Sequence, residues 1–351
     1  MSAEVQTMMY AGATPWHGLG TYVGDAPVVA EEAIKLAGLD WEVNKHPIYA
    51  NVPEKLWDGT PSSIINPKKI AIPDKYAVIR EDNNEVMGVV GNQYNIVQNK
   101  EAFAFMDALA GPDKLVRYHT AGALFGGKKV WMLAELTHLT FTPVPNDEVK
   151  PYLVLMTGHD GLTTLMVFFT GIRVVCWNTW RMALQGANRK GKFVKISHRP
   201  GAHDRIEEAK EILGLAQKQV VDNAYLMREL ALKSINGAKW NEFLNDLIPL
   251  PEPKDDEKPG RGYTMAQNKR EKLTELFESG VGTDIVGVRG TGWGAYNAVT
   301  EFTTHLSSVK VGLDKEAKGY DKRKAERRLD STWFGSSADL NDRALKLLAS
   351  A

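Results

Sequence analysis

Apolar residues recur at two different periods along this 351-residue chain, and the change of period predicts where strands give way to helices. In the first half the period is two. Tyr76 to Arg80 and Val86 to Val90 flank the turn pair Asn83-Asn84 and predict a hairpin. Gly126-Gly127 signals a second hairpin, with Val130, Met132, Ala134 and Leu136 pointing inward along the return strand. Tyr152 to Thr157 and Leu165 to Trp177 are apolar, β-branched and aromatic. They are separated by Gly158-His159-Asp160-Gly161, which predicts a third hairpin closed by an Asp-Gly turn. Short helices punctuate the strands. Ala30 to Leu36 has helical spacing and stops at Gly38, Asn99 is placed to cap a helix from Lys100 to Ala110, and Asn178 to cap a short one through Leu184.

From Asp204 to about Ile235 the pattern becomes near-heptad, through Ile206, Ala209, Leu213, Ala216, Val220, Met227 and Leu230. Asp204 with Glu207 three positions on has the spacing of a capping box. So long a seam packs on another helix, of this subunit or of the next, and a homo-oligomer is expected. Pro249 to Gly260 is rich in proline and charge and reads as a linker. Beyond it helices are expected near Met265 to Glu278, Trp293 to Leu306 and Asp339 to Leu348. The expected fold class is α+β, an N-terminal lobe of antiparallel hairpins with packed helices followed by a helical C-terminal lobe. The expected divisions are a core domain over 1–202, the long helix and its connection over 203–248, a linker over 249–262 and a helical region over 263–351.

Charge changes the picture locally. The chain has 43 basic and 43 acidic residues, so a polyanion would have to bind at one region of it. Between Asp160 and Asp204 there is no acidic residue, yet Arg173, Arg181, Arg189, Lys190, Lys192, Lys195 and Arg199 lie there, interleaved with Trp177, Trp180 and Phe193. Basic groups that hold phosphates beside rings that stack on bases make a single-strand groove. The alternative is a solvated loop over Gly186 to Lys195, with the tryptophans in the core. Arg173, between Ile172 and Val174 on a strand, faces water or a ligand, or pairs with a buried acid such as Glu135. Lys128 and Lys129 fall at the tip of the second hairpin, where they extend the positive surface or protect an edge strand.

Other chemistry is less well supported by the residues present. A single cysteine excludes an intramolecular disulfide framework and suits a reducing cytosol, and Cys176 in an apolar strand reads as packing. Met1 to Gly12 lacks the apolar run of a secretory signal, and the longest apolar stretch, near Leu165 to Phe169, is too short for a bilayer; a cytoplasmic protein without a membrane span is expected. His159-Asp160 and His203-Asp204, with His198 nearby, have the ligand types of a hydrolytic metal site. Asp160 in a turn and Asp204 in a cap explain the same residues, so no metal or cofactor is expected. Gly287 to Gly294 is glycine-rich but lacks the Gly-Lys-Ser/Thr ending of a nucleotide-binding loop, and reads as a close helix approach.

Seven segments carry a family resemblance: Pro15 to Thr21, Val89 to Tyr94, His159 to Gly161, Arg173 to Thr179, Ala202 to Arg205, Trp293 to Glu301 and Trp333 to Gly335. In these the chain resembles the phage- and plasmid-encoded proteins catalogued as domain of unknown function 932. The resemblance implies a mobile-element setting in a bacterial host cytoplasm and no particular activity. More loosely, hairpins followed by a helix, with basic residues on both, are similar in element order to phage single-strand annealing proteins. The expectation is a non-enzymatic protein that binds single-stranded DNA or another nucleic acid and anneals it in recombination or replication. The alternatives are an anti-defence factor that binds an acidic host protein and a metal-dependent nuclease.

Overall fold

The structure, a computed structural model, describes residues 8–12, 20–24, 28–52, 68–110, 117–173, 175, 178–181, 194–196, 198, 218, 220–252 and 260–350. It is α+β. An antiparallel meander, β6 (Arg117–Leu124), β7 (Lys129–Glu135), β8 (Val149–Gly158) and β9 (Leu165–Arg173), forms the middle of an eight-stranded sheet. β1 (Met8–Tyr10) adds antiparallel to β6, and β2 (Thr21–Tyr22) adds parallel to β1. On the other side β10 (Thr179–Arg181) and β11 (Val194–Ile196) both pair with β9.

Alternation along these strands feeds two cores, which is why every residue from Val130 to Leu136 is buried. Val130, Met132 and Ala134, facing one way, meet Leu153, Leu155, Val167 and Phe169 and the helices α1 (Ala30–Leu36), α2 (Asn99–Ala110), α3 (220–232), α4 (Gly237–Leu247), α5 (Arg261–Ser279) and α6 (Gly292–Glu301). Trp131 and Leu133, facing the other way, join Tyr152, Val154, Met156 and Phe168 under Leu329 and Trp333 of α7 (Tyr320–Phe334). There Trp333 sets its ring edge-on to Trp131 at 5.4 Å and to Phe168 at 5.9 Å. Helix α8 (Ser336–Ser350) turns back from α7 and puts Ala344, Leu345 and Leu348 into the first core. That core runs from Met9 to Leu348, so the segments on either side of the Pro-rich linker share it rather than forming two separately packed lobes.

Helix α6 is buried at all ten positions, an all-round burial that its mixture of small and apolar residues permits. A Cβ on Gly294 would fall 2.2 Å from the Val288 carbonyl oxygen, so glycine allows the close approach; the Thr291 hydroxyl accepts from the Gly294 amide and caps the helix. The glycine-rich segment therefore serves packing, as the missing lysine implied. A π turn over Phe302–Leu306 follows.

A second sheet, β3 (Val43–Val52), β4 (Lys68–Arg80) and β5 (Glu85–Gly91), contains the expected Asn83-Asn84 hairpin, with Asn84 at φ +56°. Beyond the end of β5, β3 and β4 continue as a two-stranded arm pairing Tyr49 with Ala71 and Val52 with Lys68. Tyr49, Val52, Ile70 and Ile72 are exposed along it.

Two local expectations change, and a third is met by one of the alternatives it allowed. Asn178 caps no helix: it is buried, donates to the Asn297 carbonyl, and leads into strand β10. Asn99 starts α2 but is buried, its amide donating to the Leu39 carbonyl. In α3 the seam residues Val220, Met227 and Leu230 pack into this chain's own core, while Val221, Tyr225 and Leu232 are exposed; Asp204 and the first part of the predicted helix lie outside the described residues.

Candidate nucleic-acid interface

Arg173, expected to face a nucleic acid, cannot do so. It is wholly buried, its Nε 2.6 Å from Asp147 Oδ1 and its Nη2 2.8 Å from Oδ2, and it donates to the Val281 and Gly282 carbonyls. Asp147 Oδ2 also accepts from the Trp293 indole at 2.8 Å. Such a fork on a carboxylate, with the remaining donors on carbonyls, is how a buried guanidinium is tolerated. Glu135, the suggested partner, is held instead by His119 at 2.6 Å and Lys150 at 3.3 Å. Burial alone would raise the Glu135 pKa, but these two neighbours hold it below the usual carboxylate range.

The other basic candidates divide. Trp177, Arg189, Lys190, Lys192 and Arg199 lie outside the described residues, as do Cys176, His203 and Asp204. The backbone of Trp180 pairs with Gly171, that of Arg181 with Thr170, and that of Lys195 with Met166. Lys128 gives its carbonyl to the His159 amide. Lys129 Nζ lies 2.6 Å from Asp330 Oδ1 on α7, 5.5 Å from the centre of the Phe125 ring and 6.0 Å from that of Phe334. The two lysines thus tie the hairpin tip into the body of the protein.

That tip contains a feature the sequence reading missed. Phe125 sits at φ +59°, followed by Gly126 at +76° and Gly127 at +102°. A left-handed aromatic residue costs on the order of 1–3 kcal/mol and persists only where its surroundings enforce it. Here Arg323 stacks over the ring at 4.5 Å and Arg327 at 5.3 Å, both from α7, with Lys129 on the same ring. Between the tip and α7 opens a cleft of about 510 Å³, lined by Gly126, Val311, Leu313, Arg323, Glu326 and Arg327. Rim carboxylates moderate its charge: Glu85 lies over Gly126, and Glu326 is 3.6 Å from Arg323. The segment leading into it is nevertheless basic, with eight Lys or Arg against four Asp or Glu between Lys310 and Arg328. That run, Lys322-Arg323-Lys324 with Arg327-Arg328, was the available signal. Its low apolarity also hid the helix that carries it.

The histidine motif has another use. Asp160 Oδ1 accepts from the amides of Leu162 and Thr163, and Oδ2 from the Thr163 hydroxyl, so the carboxylate closes the turn. His159 is buried edge-on to Trp41 and its Nε2 donates to Asn99 Oδ1 at 3.0 Å. His198 stacks on Tyr94 and donates to the Thr163 carbonyl. Among the described residues no three His, Cys, Asp or Glu side chains are grouped to hold a metal ion. Burial, reinforced by His198, pushes the His159 pKa down to about 4 from 6.5. Protonation therefore favours the unfolded chain. This contribution is complete above pH 6.5 and is expected to shrink by roughly 3 kcal/mol by pH 4, seen as a falling urea midpoint; His159→Asn should flatten that part of the profile.

Within the segments that carry the resemblance, Arg173, Asn178, Trp293, Asn297 and Glu301 are interior, Asn178 bonding to α6 directly and Arg173 through Asp147, while Val89 and Val175 are exposed. The model of the family described as domain of unknown function (DUF932) matches residues 86–333, which include the cleft, and the chain belongs to that family. No curated protein and no solved structure matched. No described helix is long and apolar enough to cross a membrane.

Proposed function

We propose that this protein binds single-stranded nucleic acid in a phage or plasmid setting and holds strands for annealing, with the Phe125 cleft as an anchoring point. The observation that carries the reading is the placement of Arg323 and Arg327, which both line the cleft, over the Phe125 ring beside it. An aromatic face fixes the guanidinium plane and leaves its N–H edges for phosphate oxygens. The acid-free stretch from Gly161 to His203 adds Arg189, Lys190, Lys192 and Lys195 as further phosphate-binding candidates on sequence grounds.

The test is binding of an oligonucleotide across a salt series. Changing Arg323 and Arg327 together to glutamine should weaken binding and flatten the log-affinity against log-salt slope by roughly 0.7 per lost phosphate contact. The quadruple glutamine variant at Arg189, Lys190, Lys192 and Lys195 should do the same. Wild-type protein that binds no nucleic acid at low salt ends this reading.

A protein-binding role, to a host factor or a second copy of the chain, has an observation of its own: the bare arm with Tyr49, Ile70 and Ile72, and the outer stripe of Val221, Tyr225 and Leu232 on α3. Sedimentation at micromolar protein, before and after replacing Ile70 and Ile72 by serine, tests the self-association half of it.

A further inference from the structure

We infer that the Phe125 cleft reads one base, and that the base is guanine; this rests on the single-strand reading above. Glu326 lines the cleft together with the two arginines and is the acid among its lining residues, Glu85 lying over Gly126 at the edge. The residue is only 6% exposed, and its one charged partner among the described residues is Arg323, at 3.6 Å, beyond a direct hydrogen bond. A carboxylate that deeply placed keeps acceptor capacity that none of the described residues fills. In a site meant only for phosphates it would repel the ligand, so its chemistry has to match a donor.

Among the bases, guanine is the one with two adjacent donors, N1–H and the N2 amino group, on its Watson–Crick edge, and these match the two oxygens of a carboxylate. Cytosine and adenine each offer one amino group beside an acceptor. Thymine and uracil place a carbonyl on both sides of their single N–H and are the worst match. Val311 and Leu313 supply apolar wall for the base plane, and Arg327, with no carboxylate partner among the described residues, is left for the adjoining phosphate. Gly319, immediately before α7, has φ +87° and lines the cleft as well.

The experiment compares a twelve-residue thymidine oligonucleotide with the same oligonucleotide carrying one central guanine, cytosine, adenine or hypoxanthine. The guanine version should bind about tenfold tighter than all-thymine, and hypoxanthine, which keeps N1–H but lacks the N2 amino group, should fall between them. In Glu326→Gln the difference between guanine and thymine should vanish, because one carboxamide oxygen and an N–H donor replace two acceptors; an unchanged melting temperature shows that the fold is intact. Equal binding of all five wild-type complexes overturns the base assignment while leaving single-strand binding standing. Binding of none of them overturns the functional reading itself.

Discussion

Replacing Arg173 with alanine is expected to destabilise the protein by about 3–5 kcal/mol, read as a lower urea midpoint with an unchanged slope. The change leaves Asp147 fully buried with only the Trp293 indole donating to it among the contacts described, and strips the Val281 and Gly282 carbonyls of a donor. Because the cost is an uncompensated charge, a double variant, Arg173→Met with Asp147→Asn, should recover part of the loss. If alanine at 173 instead melted with the wild type and lost oligonucleotide binding, the arginine would be acting on a ligand after all.

Alanine at Trp333 is expected to cost a similar amount, about 3–5 kcal/mol, because the indole fills the contact between α7 and the face of the eight-stranded sheet that carries Trp131 and Phe168. The functional consequence differs. Since Arg323, Glu326 and Arg327 ride on the same helix, loosening its seat displaces them together from Phe125. Oligonucleotide affinity should therefore fall in parallel with stability, whereas the arginine-to-glutamine variants should lose affinity out of proportion to any change in melting temperature. Thermal melting beside a binding titration on each variant separates the two patterns.

Much of the strand and helix order was legible because local signals agreed. The Asn83-Asn84 and Asp160-Gly161 turns, the Gly38 helix end and the 3.6-residue spacing of α5 and α8 were read from residues close in sequence. Asn178 failed because its choice between cap and core depends on Asn297, far away in the chain. Helix α7 failed for the opposite reason: its polar sequence has a weak apolar stripe, and docking on a sheet face supplies what periodicity does not. The site shifted in the same way. An acid-free run of basic residues marks where positive charge is abundant, but a carboxylate distant in sequence decides whether a given arginine is available, and Asp147 removes Arg173 while no such partner among the described residues removes Arg327.

The covering of the sheet by late segments has a consequence for synthesis. Lys129 waits for Asp330, Trp131 and Phe168 wait for Trp333, and Asp147 waits for Trp293. At ordinary ribosomal speed the interval from Phe168 to Trp333 is on the order of ten to thirty seconds. For that time Trp131 and Phe168 lack the Trp333 ring that packs on them in the folded protein, long enough for two chains on one polysome to find each other. Slow translation after β9 should therefore lower the yield of soluble protein, and a chain cut before α7 should be recovered mainly as aggregate.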